Sequence, residues 1–229
     1  TARKVICLVE LDRLDDARHY LDFDRFIWTR DWDPPQGYPS IEAFNQALVG
    51  HVMGHKTLQV PPEDSPTYHH PKLHITDELL SGKRGPMSGL EAMIRQAVEA
   101  YREEVLAANP DHPLAVNWPE KWRLSTWATL LDGGGNLVPH IHIEGYIGGV
   151  YYPALPEIVD AEEAAPAGWF ELGRPPDEMS SDKEPLVRAV QPAEGRMILF
   201  PGYFYHRTVP FQSPGRRISI AFDLVPERD

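Results

Sequence analysis

Apolar residues recur at helical spacing in two segments of the first half of the chain. The stripe of the first segment consists of Ile41, Phe44, Leu48 and Val52. Ser40 precedes this stripe and is a residue type that caps helix N-termini, so a helix is predicted to begin after it. The second segment opens with Ser88-Gly89-Leu90-Glu91, which has the spacing of a capping box and predicts a helix over residues 88–108. The polar, turn-rich residues 61–86 between them indicate a long ordered loop.

After Pro113 the pattern changes to short apolar alternations separated by glycine and proline turns. These predict about eight strands, over residues 123–131, 138–144, 147–153, 169–172, 186–190, 196–200, 203–209 and 217–224. Many short strands joined by tight turns are typical of a sandwich or jelly-roll barrel. The sequence therefore predicts a mainly β fold with helical support from its N-terminal part.

The stretch from Pro139 to Glu144 alternates apolar residues with metal-ligand types. Successive side chains of a strand point to opposite faces, so His140 and His142 are predicted to share one face, with Glu144 next in the row. The intervening isoleucines, Ile141 and Ile143, are expected in apolar packing on the other face. Two imidazoles on one face can bind a divalent ion if a further ligand comes from another strand.

His206 is the candidate for that further ligand, because it lies in a later strand signal. Beyond it, Arg217 and Ser219 alternate with Ile218 and Ile220, so the cation and the hydroxyl are predicted to face inward together. Metal ligands followed by an inward cation indicate a site for both an ion and a carboxylate. Two plainer interpretations stay open: a solvated His-x-His face, and a surface charge at Arg217.

Other histidines carry weaker signals. His51 and His55 are four apart on the first predicted helix, which is more typical of a helix face than of a metal pair. The histidines of the loop are expected to be solvated, or else to line the mouth of a site: His69, His70 and His74. Core packing is the plain interpretation of Tyr151 and Tyr152. Five aromatic residues are candidates for either a substrate groove or the core: Trp28, Trp32, Tyr38, Tyr68 and Tyr146.

Composition narrows the possible partners. The net charge of −12 argues against nucleic-acid binding, which needs a basic surface. No apolar run is long enough to span a membrane, and nothing at Thr1 resembles a signal peptide. The single cysteine, Cys7, excludes an internal disulfide framework and is expected to be buried and inert, which favours a cytoplasmic protein.

The half of the chain from Trp122 to Pro226 resembles the Fe(II)- and 2-oxoglutarate-dependent oxygenases. Within them it is most similar to a branch often found behind tetratricopeptide repeats. The matching strings are Pro139-His140-Ile141-His142 and residues 145–156, 195–211 and 217–223. Phe44-Asn45 and the helix that follows Ser88 also resemble the N-terminal extension of that branch.

The resemblance implies a double-stranded β-helix, or cupin-like jelly roll, with residues 113–229 as its core. Residues 1–112 would form a helical extension packed on that barrel as one folding unit. His140 and His206 match the family's two histidine ligands, and His142 stands where most members have a carboxylate. Three histidines are favoured as the ligand set, because Glu144 is two residues too far along for the usual geometry; it remains the alternative third ligand.

By the same resemblance, Arg217 would bind the distal carboxylate of 2-oxoglutarate, assisted by Ser219 and Tyr152. The expected activity is the hydroxylation of a C–H bond in a peptide, protein or small molecule, with dioxygen as oxidant. Two alternatives are a three-histidine cupin-type dioxygenase without 2-oxoglutarate and a non-catalytic jelly-roll binding module.

Overall fold

The computed structural model describes residues 1–62, 72–179 and 183–227. Its helices are α1 (Ala2–Glu10), α2 (Leu14–Tyr20), α3 (Phe23–Phe26), α4 (Ile41–Met53), α5 (Met87–Tyr101) and α6 (Pro113–Val116). Its strands are β1 (Trp28–Asp31), β2 (Leu73–Ile75), β3 (Trp122–Asp132), β4 (Ile147–Ala154), β5 (Phe170–Leu172), β6 (Arg188–Val190), β7 (Arg196–Pro201), β8 (His206–Thr208) and β9 (Arg216–Pro226). None of these helices is long and apolar enough to cross a lipid bilayer.

The strands form two antiparallel sheets. The larger has the order β1-β7-β4-β9-β3-β2, and the smaller has the order β6-β5-β8. Strand β9 pairs with β3 along its full length, from Trp122 opposite Pro226 to Asp132 opposite Arg216, and with β4 on its other side. This arrangement confirms the predicted jelly-roll fold and places β9 at the centre of the larger sheet.

The helices cover the outer face of the larger sheet. Helix α4 packs against β4, and α3 and α5 pack against β7. Ile218 and Ile220 belong to the same buried core as the apolar stripes of α4 and α5. Tyr151 anchors this contact, because its hydroxyl donates a hydrogen bond to Asn45 Oδ1 on α4 over 2.6 Å.

Both predicted helices are present, but only the first has the predicted side-chain cap at its N-terminus. Ser40 caps α4 as expected, accepting a hydrogen bond from the Ala43 amide over 3.3 Å. The capping box predicted at Ser88 is wrong: α5 begins one residue earlier, after Pro86, and no side chain caps it. Proline fixes the backbone angle that a first helical turn needs, so the chain enters the helix without a side-chain cap. After Tyr101 the helix continues as a π-helical turn over Arg102–Leu106.

The N-terminal region contains structure that the apolar pattern did not indicate. Helices α1 to α3 and the short strands β1 and β2 were all missed, and β2 lies within the segment predicted to be a loop. Residues 63–71 of that segment lie outside the described part of the chain. Cys7 is exposed, not buried, because it lies on the solvent face of α1, whereas Val5, Leu8 and Val9 face the core.

The predicted strand over residues 138–144 is wrong. In the described chain its backbone makes one isolated bridge, between His140 and His206, and then turns, with the Gly145 amide bonded to the His142 carbonyl. Ile143 is 91% exposed and therefore does not join the apolar packing expected for it. Alternation alone does not make a strand, because the backbone groups also need a partner strand along the whole segment.

Two glycines let the central strands approach closely. A Cβ at Gly149 would lie 2.2 Å from the ring of Phe222 on β9, and one at Gly148 would lie 2.9 Å from the ring of Phe200 on β7. Distances this short leave no room for a side chain at either position unless the aromatic ring moves. The glycine pair of β4 thus allows aromatic rings to fill the space beside the strand.

Candidate metal centre

Three histidines converge between the two sheets. His140, His142 and His206 each offer a ring nitrogen, and these three atoms lie within 4.8 Å of one another. The chain supplies them from two places: His206 begins β8, while the other two come from the bridged segment before β4. No other group of three or more His, Cys, Asp or Glu residues in the described chain has this spacing. Such a cluster is suited to a divalent ion such as iron or zinc.

The hydrogen bonds of the rings orient their lone pairs. The Nδ1 atoms of His140 and His206 lie 2.8 Å and 3.0 Å from the main-chain oxygens of Val138 and Phe204. A carbonyl oxygen can only accept, so each Nδ1 must carry the proton and donate it. The same holds for His142, whose Nδ1 lies 2.8 Å from the carboxylate of Asp223. In all three rings the unprotonated nitrogen is therefore Nε2, as metal binding requires.

Burial reinforces the neutral state of two of these rings. Loss of solvation, followed by the nearby His142, lowers the pKa of His140 to about 4. Burial also holds the pKa of His206 well below its usual range, with His140 and His142 acting in the same direction. Neutral imidazole is the metal-binding form, so both lone pairs are available at neutral pH.

Glu144, the alternative third ligand, lies apart from this cluster. Its side chain is exposed, and it is absent from the group of atoms within 4.8 Å. The turn at His142 directs the chain away before Glu144 is reached, so the shared face expected for a strand does not form.

Aromatic rings enclose the three histidines. The rings of Phe200 and Phe170 lie 4.8 Å and 5.4 Å from that of His206, measured between centroids. Trp127 of β3 meets His142 edge to face at 4.9 Å. Sequence reasoning did not single out these aromatic residues, because each lies in an ordinary strand pattern. Together they surround the imidazoles with apolar walls.

Arg217 lies in the same pocket and is 2% exposed. Its guanidinium donates to the Gly168 carbonyl over 3.4 Å and to Ser219 Oγ over 3.2 Å, and it lies 5.1 Å from the ring centroid of Tyr152. No carboxylate within the described residues forms an ion pair with it. Its pKa is lowered, chiefly by burial. A buried cation without an anion is costly, so this arrangement favours an anionic ligand.

Ser219 and Tyr152 complete this polar end of the pocket. Ser219 Oγ shares a hydrogen bond of 2.7 Å with Thr129 Oγ1, a partner that the sequence did not reveal. Tyr152 is fully buried, and within the described chain its hydroxyl has no partner at hydrogen-bonding geometry. Burial raises the pKa of Tyr152 to about 12, although Arg217 acts against this shift. The phenol thus stays protonated and can donate to a ligand.

The pocket therefore has two chemically distinct ends. The histidines and Arg217 line one small cavity of about 30 Å³ between the sheets. One end presents nitrogen lone pairs, and the other presents a guanidinium and hydroxyl donors. The chemistry of the lining suits a divalent cation at the first end and the carboxylate of a ligand at the second.

The remaining candidates lie elsewhere. His51 lies on α4 and His55 lies two residues beyond its end, with ring centroids 5.6 Å apart, and His74 lies on β2. His69, His70 and Tyr68 fall outside the described residues. The other aromatic candidates for a substrate groove pack in or against the core, and none lines this pocket: Trp28, Trp32, Tyr38 and Tyr146.

A comparison with protein families decides the classification. Residues 125–223 match the model of a family described as "Putative 2OG-Fe(II) oxygenase". The barrel part of this chain is thus similar to the 2OG-Fe(II) oxygenases. The oxygenase match spans the three histidines, Arg217 and Ser219. The branch associated with tetratricopeptide repeats stays a prediction.

Solved structures are similar to this chain in fold. A prolyl-4-hydroxylase from Pseudomonas putida superposes with a TM-score of 0.59 at 12% identity, covering 98% of this chain and 100% of the other. A prolyl hydroxylase from Trichoplax adhaerens, in complex with a hypoxia inducible factor peptide fragment, gives 0.57 at 12% identity, covering 97% and 90%. The viral collagen prolyl hydroxylase of Paramecium Bursaria Chlorella virus-1, with 2OG, gives 0.54 at 11% identity, covering 89% and 97%. A search of curated protein sequences found no match.

The donor set fits the cofactors of this family, Fe(II) and 2-oxoglutarate. Three imidazoles offer the nitrogen ligands that iron accepts, and Arg217 offers the charge that a dicarboxylate needs. The chain thus resembles the 2-oxoglutarate-dependent dioxygenases both in its family match and in the chemistry of its pocket.

Proposed function

We propose that this oxygenase hydroxylates a C–H bond of an organic substrate, with iron held by His140, His142 and His206. The observation that carries the proposal is the buried Arg217, which shares a pocket with the three histidines and has no carboxylate partner in the described chain. An ion site alone would not require a buried guanidinium. A cosubstrate that binds the metal at one end and ends in a carboxylate at the other accounts for both features.

In this proposal Arg217 binds the distal carboxylate of 2-oxoglutarate. A charge-assisted pair between guanidinium and carboxylate is strong, and the low dielectric of the pocket strengthens it further. Ser219 orients the guanidinium through its hydrogen bond of 3.2 Å, and Thr129 in turn holds Ser219. Tyr152 supplies a further donor, since its buried hydroxyl is protonated and free to reach a ligand oxygen.

The residues of the chain would bind and orient the iron, the cosubstrate and the substrate, and would exclude water. The oxidation itself would be supplied by the iron and the cosubstrate. Iron and 2-oxoglutarate together supply the activation of dioxygen, with conversion of the cosubstrate to succinate and carbon dioxide. Phe170, Phe200 and Trp127 enclose the imidazoles and limit the access of water to the reacting centre. No side chain of the pocket is needed as a general base.

The two alternative activities account less well for the pocket. A three-histidine dioxygenase without 2-oxoglutarate would use the same ligands but would leave Arg217 buried without a function. A non-catalytic binding module would have no need for three rings whose Nδ1 atoms are all engaged and whose Nε2 atoms converge.

For the substrate we propose a peptide or protein residue, with a small molecule as the alternative. The similarity of fold to prolyl hydroxylases, one of them bound to a peptide, supports this class. The fold is also that of HygX from Streptomyces hygroscopicus, which was solved with nickel and 2-oxoglutarate (TM-score 0.52, 14% identity, covering 91% and 87%). Fold alone therefore does not select the substrate.

The proposal is tested by anaerobic titration of the metal-free protein with Fe(II) and then with 2-oxoglutarate. We expect one equivalent of each to bind, and succinate to form when oxygen is admitted. Binding of iron without succinate formation would favour the dioxygenase that lacks 2-oxoglutarate. Failure to bind iron would favour the binding module. A mass-spectrometric screen of lysate peptides and metabolites for the gain of one oxygen then identifies the substrate.

A further inference from the structure

Asp223 lies beside the three histidines but has no part in the ligand set described above. It belongs to the inward-facing row of β9 and is 5% exposed. Its Oδ1 accepts a hydrogen bond from His142 Nδ1 over 2.8 Å, and both side chains are almost entirely buried. Within the described residues no Lys or Arg forms an ion pair with this carboxylate.

The backbone at two glycines packs closely against the Asp223 carboxylate. A Cβ at Gly145 would lie 2.7 Å from both Cγ and Oδ1 of Asp223, which is closer than real contacts allow. A Cβ at Gly148 would lie 3.6 Å from Oδ1. The backbone just before β4 and at its start therefore packs directly against Asp223. This packing fixes the carboxylate opposite one nitrogen of one histidine.

The three rings differ in the partner that fixes them. His140 and His206 donate to neutral main-chain oxygens, whereas His142 donates to a carboxylate. A carboxylate partner raises the basicity of the imidazole and delivers negative charge toward the metal through the ring. The Asp223 carboxylate thus places a negative charge one hydrogen bond away from a ring of the cluster.

We propose that Asp223 is a positioning residue that holds His142 with Nε2 toward the metal and supplies, through that ring, the negative charge that a ligand carboxylate would otherwise provide. This inference rests on the proposed iron site. It gives Asp223 two separable effects, because orientation needs only a hydrogen-bond acceptor whereas charge needs the carboxylate itself.

The variants Asp223→Asn and Asp223→Ala separate these effects. The asparagine keeps the shape and an acceptor oxygen but loses the charge, and the alanine loses both. Asp132→Asn is the matched control, since Asp132 is an acid on the neighbouring strand β3 that pairs with Arg216 outside the pocket. The measurements are the Kd of Fe(II) under anaerobic conditions, the visible spectrum of the Co(II)-substituted protein, and the thermal unfolding of the metal-free protein.

We expect Asp223→Asn to weaken Fe(II) binding by at least about tenfold, with the metal-free protein still unfolding cooperatively. Asp223→Ala should weaken it at least as much and also change the Co(II) spectrum, because the ring is no longer oriented. Asp132→Asn should stay within about twofold of the unchanged protein, as a distant surface charge is largely screened.

Three results would count against the inference. Unchanged Fe(II) affinity in Asp223→Asn would reduce Asp223 to a structural anchor. Complete loss of metal in Asp223→Asn combined with full retention in His142→Ala would make Asp223 itself the ligand. If the unaltered chain bound no Fe(II), the proposed function would fail first, and the inference would fail with it.

Discussion

The two faces of β9 are made by alternate residues of one strand, yet they are packed in opposite ways. The outer face consists of Ile218, Ile220, Phe222 and Leu224, each at most 1% exposed and part of the main core under the helices. The inner face consists of Arg217, Ser219, Ala221 and Asp223, which face the pocket or the histidines beside it. The even-numbered positions of this strand therefore serve fold stability, and the odd-numbered positions serve ligand binding. Changes on one face should leave the property of the other face intact.

The largest effect is expected from removing the cover of the outer face. A chain beginning at Asp111 lacks helices α1 to α5 and would expose the apolar residues of β4, β7 and β9 to water. We expect it to aggregate or fail to accumulate, measured as soluble yield and thermal unfolding. The two halves would instead be separate domains if this shorter chain were soluble, unfolded cooperatively and bound iron with native affinity.

Next in size is the loss of metal on the inner side of the sheet. His140→Ala and His206→Ala should each abolish stoichiometric Fe(II) binding, because each removes one of three converging nitrogens. Metal content after anaerobic loading and desalting measures the effect, and a retained thermal transition shows that the fold survives. Full iron retention in His206→Ala would contradict the assignment.

The third ligand needs its own comparison. His142→Ala should lose iron, whereas Glu144→Ala should retain it, because the glutamate is exposed and outside the cluster. The opposite pattern would make Glu144 the ligand.

A matched pair on adjacent positions of β9 tests the separation of the faces directly. Ile220→Ala should lower the free energy of unfolding by about 2–5 kcal/mol, because it leaves a cavity under the helices. Ser219→Ala should lower it by only about 1 kcal/mol, the typical net value of a hydrogen bond. Urea unfolding of both variants measures this. Iron affinity should stay unchanged in Ile220→Ala, and a loss of iron there would mean that the faces are coupled.

A further effect is expected on cosubstrate binding. Arg217→Ala should raise the Kd of 2-oxoglutarate at least tenfold, or about 1.4 kcal/mol, by removing the cation at the end of the pocket. Arg216→Ala should change little, because Arg216 points outward and pairs with Asp132. Calorimetric titration of both iron-loaded variants decides the matter. An equal rise in the Kd of 2-oxoglutarate for both variants would contradict the assignment of Arg217 as the residue that binds the cosubstrate.

How well the sequence predicts each face depends on backbone partners. On β9 the alternation is correct because β3 and β4 pair with it on both sides, so period two becomes an inward and an outward row. The same alternation over residues 138–144 fails, because within the described chain that backbone has one bridge to β8. His140 and His142 nevertheless lie in the candidate metal site, because hydrogen bonds from their Nδ1 atoms orient the rings although the backbone is not paired as a strand.

The contacts that sequence reasoning missed join residues far apart in the chain. Asp223 and His142 are 81 positions apart, and Thr129 and Ser219 are 90 apart. Which residues of two strands become neighbours depends on register, and one sequence does not reveal it. A signal for Asp223 did exist, because it continues the inward row of Arg217, Ser219 and Ala221. The row could not indicate that His142, which lies at a turn, would donate a hydrogen bond to Asp223.

The ring of Phe222 occupies the space that a side chain at Gly149 would need, and this limits how the pocket can be engineered. Even alanine at Gly149, on the strand from which Tyr152 and Val150 line the pocket, would have to displace the ring of Phe222. Leu137 lines the same pocket from the segment between β3 and β4. A library intended to change the substrate should therefore keep Gly149 fixed and randomise Leu137.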